Sequence, residues 1–168
     1  MAPSVPVLVR DASEADWSGI WPILERVVRA GDTYTWPVDT GEDEARRLWL
    51  PASPWRTFVV ADADGSIVGS AKLGPNQSGP GDHVANASFL VDPDRSGHGI
   101  GRRLAEYVLD AARSDGYRAM QFNAVVETNG AAVALWRSLG FEALATVPGA
   151  FRHPTHGDVG LLVMYRTL

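Results

Sequence analysis

The chain has 168 residues, 45% of them hydrophobic and 21% charged, with a net charge of −5 at pH 7. That length suits one domain, residues 1–168, with a real core, and the acidic balance argues against a dedicated nucleic-acid binder, which would carry a basic stripe. There is no cysteine, which excludes disulfides, thiolate metal sites and a cysteine nucleophile; no apolar run approaches the roughly 20 residues of a membrane span, no signal-peptide pattern follows Met1, and a cytoplasmic location is expected.

Residues 5–10 alternate weakly and predict a short first strand. Ser13-x-x-Asp16 reads as a capping box opening a helix, with Trp17, Ile20, Trp21, Leu24 and Val27/Val28 on one stripe and Gly31 at its end. Residues 32–37 predict a loop with two exposed aromatics, Tyr34 and Trp36. Thr40-x-x-Asp43 predicts the cap of a second helix, which carries Leu48 and Trp49 and stops before Pro51. Its acidic start, Glu42-Asp43-Glu44, reads as charge complementing the helix dipole rather than as a cation site.

Residues 57–62 and 67–73 are strands joined across Asp64-Gly65, a hairpin signal. The glycines and prolines of residues 74–82 predict a loop. Residues 84–91 form a strand that runs into Ser96-Gly97-His98-Gly99-Ile100-Gly101-Arg102-Arg103. Ile100, Leu104, Val108 and Ala112 then share a helical stripe that lasts to about Ser114. A glycine-rich turn at a helix N-terminus leaves backbone N–H groups free to hold a phosphate. The dinucleotide fingerprint fails because Arg102 stands where its third glycine is needed, and a Walker loop fails because Gly101-Arg102-Arg103 replaces Gly-Lys-Ser/Thr.

Residues 119–126 predict another strand, and Asn129 caps a helix with Ala132, Leu135 and Trp136 inward and Gly140 at its end. Residues 141–147 and 160–165 are the last two strands, with an irregular stretch at 148–158 between them. The order is β-α-α-β-β-β-α-β-α-β-β, an α+β arrangement with a mixed sheet.

Two segments resemble a known family. The glycine turn resembles the coenzyme A pyrophosphate loop Q/R-x-x-G-x-G/A of the GNAT (GCN5-related N-acetyltransferase) superfamily, with Ser96 where Arg or Gln is usual. Arg95 stands one residue earlier and would point elsewhere. Residues 129–141 resemble the segment N-x-x-A-x-x-L-Y-x-x-x-G-F, with Asn129, Ala132, Leu135, Gly140 and Phe141 in place and Trp136 at the tyrosine position. The resemblance implies a GNAT fold, with a mixed, mostly antiparallel sheet of about six or seven strands, about four helices and a splayed central parallel pair at 87–91 and 121–125.

It further implies an acetyl-CoA-dependent N-acetyltransferase that moves an acetyl group to a primary amine, most simply of a small molecule, by direct attack in a ternary complex. No metal is expected: His153-x-x-His156 lacks partners beyond Asp158. Nor is a nucleic-acid or membrane partner, and a homodimer is one option for its assembly. The backbone of Leu90 and Val91 would bind pantetheine, and a fixed N–H there would stabilise the oxyanion, which makes Val91 a catalytic position. Ser96, Gly97, His98, Gly99, Ile100, Gly101 and Arg102 would line the pyrophosphate. Asn123, Asn129 and Trp136 are further cofactor candidates; a strand-end bond, a helix cap and core packing are their plainer roles. Indole cannot replace a tyrosine as an acid. His83 and Glu127 are the candidate general bases. Tyr34, Trp36, Asn86, Arg152 and His153 are candidates for the acceptor side. The alternatives are a non-catalytic acyl-CoA-binding module, a protein or N-terminal acetyltransferase, and a nucleotide-binding domain of another fold.

Overall fold

A computed structural model describes residues 6–168; Val5, expected in the first strand, lies outside them. Seven strands form one sheet in the order β1-β2-β3-β4-β5-β7-β6. They are β1 (Val7–Asp11), β2 (Arg56–Asp62), β3 (Ile67–Pro75), β4 (Val84–Val91), β5 (Ala119–Val126), β6 (Glu142–His153) and β7 (Gly157–Thr167). The helices are α1 (Trp17–Ala30), α2 (Glu42–Trp49), α3 (Ile100–Ser114) and α4 (Gly130–Ser138). Every strand pair is antiparallel except β4 with β5. This is the expected fold.

Alternation along the strands sends side chains to two cores. Ala85, Ala87, Met120 and Phe122 pack with Ile100, Leu104, Val108 and Trp136, under α3 and α4. Val59 and Leu90 pack with Trp17, Ile20, Leu24, Val28 and Trp49, under α1 and α2. Full burial of each large apolar side chain contributes about 1.5–3 kcal/mol, so the two helical stripes hold the layers to the sheet.

Local signals explain most element ends. The Ser13 amide donates 2.7 Å to Asp16 Oδ2, the capping box read from the sequence. Asn129 caps α4 by accepting from the Ala132 amide at 3.3 Å. Three expectations need correction. Thr40 does not cap α2: its hydroxyl donates 2.5 Å to the Pro37 carbonyl in the preceding turn, and Gly41 takes the cap position. Tyr34 and Trp36 are not exposed loop aromatics; they pack on Trp49 at 6.0 and 6.3 Å between ring centres. Finally, the stretch 148–158 is not irregular. It belongs to the long β6–β7 hairpin, and Pro148 sits in a bulge between Val147 and Phe151, where a missing N–H costs no ladder bond.

No helix among the described residues is long and apolar enough to cross a membrane.

Candidate active site

The parallel pair at the sheet centre is joined over a very short length. β4 and β5 pair only at Val84 with Ala119 and Ala85 with Met120. Beyond that point they part, as the resemblance implies, and residues 86–91 and 121–126 face each other across a gap. Asn86 marks its closed end: Nδ2 donates 3.0 Å to the Gln121 carbonyl. Buried backbone groups need partners, so an extended ligand arm fits this gap as a pseudo-strand. On the far edge, β5 slips against β7 between Phe122 and Val125, which leaves Asn123 and Ala124 exposed.

The glycine loop sits at the open end. Gly97 and Gly99 have φ of 80° and 76°, left-handed values that disfavour other residues. A Cβ at either would meet nothing within 4 Å, so the glycines serve backbone shape and leave the space above them open. Among the described residues, no acceptor meets the amides of Gly97, His98 and Gly99, and the first amides of α3 lack intrahelical partners by geometry. This cradle suits a pyrophosphate.

Side chains brace the loop from outside. Arg26 holds Asp94 at 2.8 and 2.9 Å, and Asp92 accepts from the Asp94 amide. Arg95 reaches Asp62 at 3.1 Å, so it does not replace the basic side chain absent at Ser96, which is itself exposed. His98 Nδ1 lies 3.2 and 3.0 Å from the Arg95 and Ser96 carbonyls and must therefore donate. Arg102 Nη2 donates 2.6 Å to Ser138 Oγ, tying the start of α3 to the end of α4.

Trp136 is 8% exposed and closes the α4 side of the gap. Its ring lies 4.8 Å from Phe89 on β4 and 4.7 Å from Phe122 on β5, so it spans the parted strands. Core packing, the plainer role, is what its contacts show.

On the opposite side, the apolar core under α1 and α2 gives way to polar side chains near the gap. Alternation places Ser70 and Lys72 of β3, Asn86 and Ser88 of β4, and Gln121 and Asn123 of β5 on this face. Gln121 Nε2 donates 3.0 Å to Asn123 Oδ1, and Asn123 Nδ2 donates 2.7 Å to Asn76 Oδ1. Tyr34 donates its hydroxyl to the Phe89 carbonyl, and burial pushes its pKa well above the usual phenol value. A donor so placed positions β4 and is no base. Trp36 lies tilted beside Tyr34, 5.8 Å between ring centres.

The two candidate bases fall apart in space. His83 precedes β4 at the closed end, about 23 Å along the strand from Leu90 at strand rise. Glu127 follows β5 at the open end, and its Oε1 accepts from the Gly160 amide at 2.6 Å. Nearby, a cleft of about 320 Å³ is lined by Asp32, Thr33, residues 128–131 and His153. His153 Nδ1 accepts from the amides of Thr155 and His156 at 3.2 and 3.3 Å, so a neutral ring carries its proton on Nε2. Arg152 is 90% exposed beside Asp158. No group of three potential ligands that could hold a metal occurs among the described residues.

Sequence reasoning passed over Asn76, Gln121 and Lys72. Asn76 and Gln121 are amides with no spacing signature. Lys72 had one available signal, since a charged residue at a strand centre needs a reason.

Comparison with known proteins agrees with this architecture. The sequence profile of the Acetyltransferase (GNAT) family matches residues 21–141. The L-amino acid N-acyltransferase MnaT of Escherichia coli is 31% identical over 146 residues, spanning 83% of this chain and 82% of that protein. The N-acetyltransferase aca1 of Schizosaccharomyces pombe is 32% identical over 120 residues, 71% of this chain but only 54% of that protein's length. A GCN5-related N-acetyltransferase from Kribbella flavida superposes with a TM-score of 0.93 at 52% identity, covering 96% of this chain and 98% of that one. The yncA protein of Salmonella typhimurium, solved with its cofactor acetyl-CoA, gives a TM-score of 0.80 at 27% identity over 97% and 94% of the two chains. With its strands parted beside a glycine-rich helix start and its sequence matched through that region, this chain belongs to the GNAT acetyltransferase family.

Proposed function

We propose that the chain transfers the acetyl group of acetyl-CoA to the amino group of a small molecule, by direct attack while both substrates are bound. The parted β4–β5 pair is the observation that carries this reading. The amides at Gly97 to Arg102 hold the pyrophosphate, and the β4 edge at Leu90 and Val91 binds the pantetheine arm. A backbone N–H of that edge stabilises the oxyanion formed when the amine attacks the thioester carbonyl. The donor enters from the α3 side, so the polar part of the α1/α2 face receives the acceptor, with Asn86 at its floor.

Protonated amines do not attack, so a proton must leave. Among the described residues, no polar side chain of β3, β4 or β5 on that face is acidic. Water carries the proton to the open end, where Glu127 accepts it. The thiolate departs without a side-chain acid, which a thiol of pKa near 8.5 tolerates.

Relatives named for acting on L-amino acids and on L-methionine sulfoximine or sulfone support a small acceptor. Assembly as a homodimer belongs to the same reading; β6 is an edge strand with Leu144 and Val147 exposed, and sedimentation as a monomer would reject it. The test of function is release of free CoA thiol from acetyl-CoA across a panel of amines. Turnover with small amines is expected. Acetylation of intact proteins alone, or thermal stabilisation by acetyl-CoA without thiol release, would overturn the reading.

A further inference from the structure

The chain contains fourteen arginines and a single lysine, Lys72. Arginine is the cation everywhere else, and most of those side chains are exposed at the surface or paired with a carboxylate. Lys72 differs on every count. It stands at the centre of β3, half-buried. Its ammonium lies 5.3 Å from the ring centre of Trp55 and 5.9 Å from those of Trp36 and Trp49. Nζ donates 2.7 Å to the Leu48 carbonyl near the end of α2. Among the described residues, no carboxylate pairs with it.

An ammonium offers three donors, and one is used here. Burial lowers the Lys72 pKa, the direction expected where charge is desolvated without a counter-ion. The indole faces compensate part of that cost, and so does the negative end of α2. A partner carboxylate would compensate far more.

The position of Lys72 shows where such a carboxylate would come from. Lys72 pairs across the strands with Ser88, on the face that carries Asn86 and Leu90. Its diagonal neighbour Asn86, about 7–8 Å away at Cα, bonds to β5 where the gap begins. The other polar side chains of β3, β4 and β5 on this face are neutral amides and hydroxyls. One cation is therefore set beside the gap among uncharged side chains, held by a carbonyl and three indoles but, among the described residues, by no carboxylate.

We propose that Lys72 and its tryptophan box form the anion subsite of the acceptor, so that the favoured substrates are amines bearing a carboxylate. This rests on the acceptor lying on the α1/α2 face. Lys72 is a specificity residue: it holds the far end of the substrate and takes no part in the bond that forms.

The experiment compares L-amino acids with their carboxamides as acceptors. Wild type should favour the acid. Lys72→Gln keeps a donor for the Leu48 carbonyl but removes the charge. The ratio of kcat/KM for acid over amide should then fall about 10- to 100-fold, the range for one charged hydrogen bond, chiefly through the KM of the acid. Lys72→Arg should recover part of the preference. An unchanged ratio in Lys72→Gln, or equal loss for acid and amide, would show that Lys72 only caps α2. If no small amine turns over, the proposed function fails, and tryptophan fluorescence titration of the wild-type protein with L-amino acids and their carboxamides decides this proposal separately. Acid-selective quenching supports it, and equal or absent response overturns it. That titration needs no variant, so it holds even where Lys72→Gln does not fold.

Discussion

Asn86 on β4 and Gln121 on β5 are joined by one side-chain hydrogen bond, 3.0 Å from Nδ2 to the carbonyl, one residue beyond the last paired position of the parallel ladder. The bond ends the ladder where the gap begins. It supplies a donor to a carbonyl that has lost its strand partner, so it both closes the gap and keeps it from propagating. Asn86→Ala leaves that carbonyl unpaired. A loss of about 1–3 kcal/mol is expected for an unsatisfied buried group, read by urea unfolding, together with a raised KM for the amine. An unchanged midpoint would mean that water replaces the side chain at no cost.

Gly97→Ala tests the cradle without filling it. The methyl group meets no neighbour, but the left-handed φ costs about 1–2 kcal/mol for a residue with Cβ. The loop should relax and its amides diverge. A KM for acetyl-CoA raised at least about tenfold, one hydrogen bond's worth, is expected with a smaller change in kcat. Steady-state kinetics with varied acetyl-CoA reads the effect.

Trp136→Ala opens a cavity between the parted strands. The loss should reach about 3–5 kcal/mol, as for other buried aromatics, since the ring touches Phe89, Phe122 and Phe141. Trp136→Phe should recover most of it. Chemical denaturation of the three proteins measures the series.

Glu127→Gln separates structure from proton transfer. The amide oxygen can still accept from the Gly160 amide, while basicity is lost. If Glu127 receives the proton, kcat/KM should fall about 10²-fold or more with little change in melting temperature. A profile of rate against pH identical to wild type would remove Glu127 from the mechanism.

Asp16 makes stability depend on acid. The hydrogen bond from Arg10 first, and the Ser13 amide after it, lower its pKa from 3.8 to about 2. A carboxylate with a depressed folded pKa stabilises above its unfolded value, and that stability is lost as pH falls through the folded value. The contribution should therefore be complete above about pH 4 and fade towards pH 2. Asp16→Asn should lower stability at pH 5 and flatten the slope between pH 4 and 2, as read from urea midpoints.

Much of this protein was determined by sequence alone, because its signals are local. Period-2 and period-3.6 patterns placed β4, β5 and α3 with the bounds observed, since which face a side chain takes follows from spacing along the chain. Gly97 and Gly99 announced the turn because few other residues adopt left-handed backbone. The tertiary structure alone decided what depends on distant partners. Thr40 looked like a cap, but the helix begins one residue later with Gly41 at the cap position, and the Thr40 hydroxyl donates back to the Pro37 carbonyl. Pro148 and Gly149 looked like loop residues until β7 supplied a strand on which a bulge could form. Tyr34 and Trp36 looked exposed until Trp49 and the Phe89 carbonyl met them from elsewhere in the chain. Lys72 had no motif at all. Its charge at a strand centre hinted at a role, but its surroundings appeared only when Trp36, Trp49 and Trp55 closed round one ammonium, because desolvation is a property of the assembled surroundings and not of neighbours in sequence.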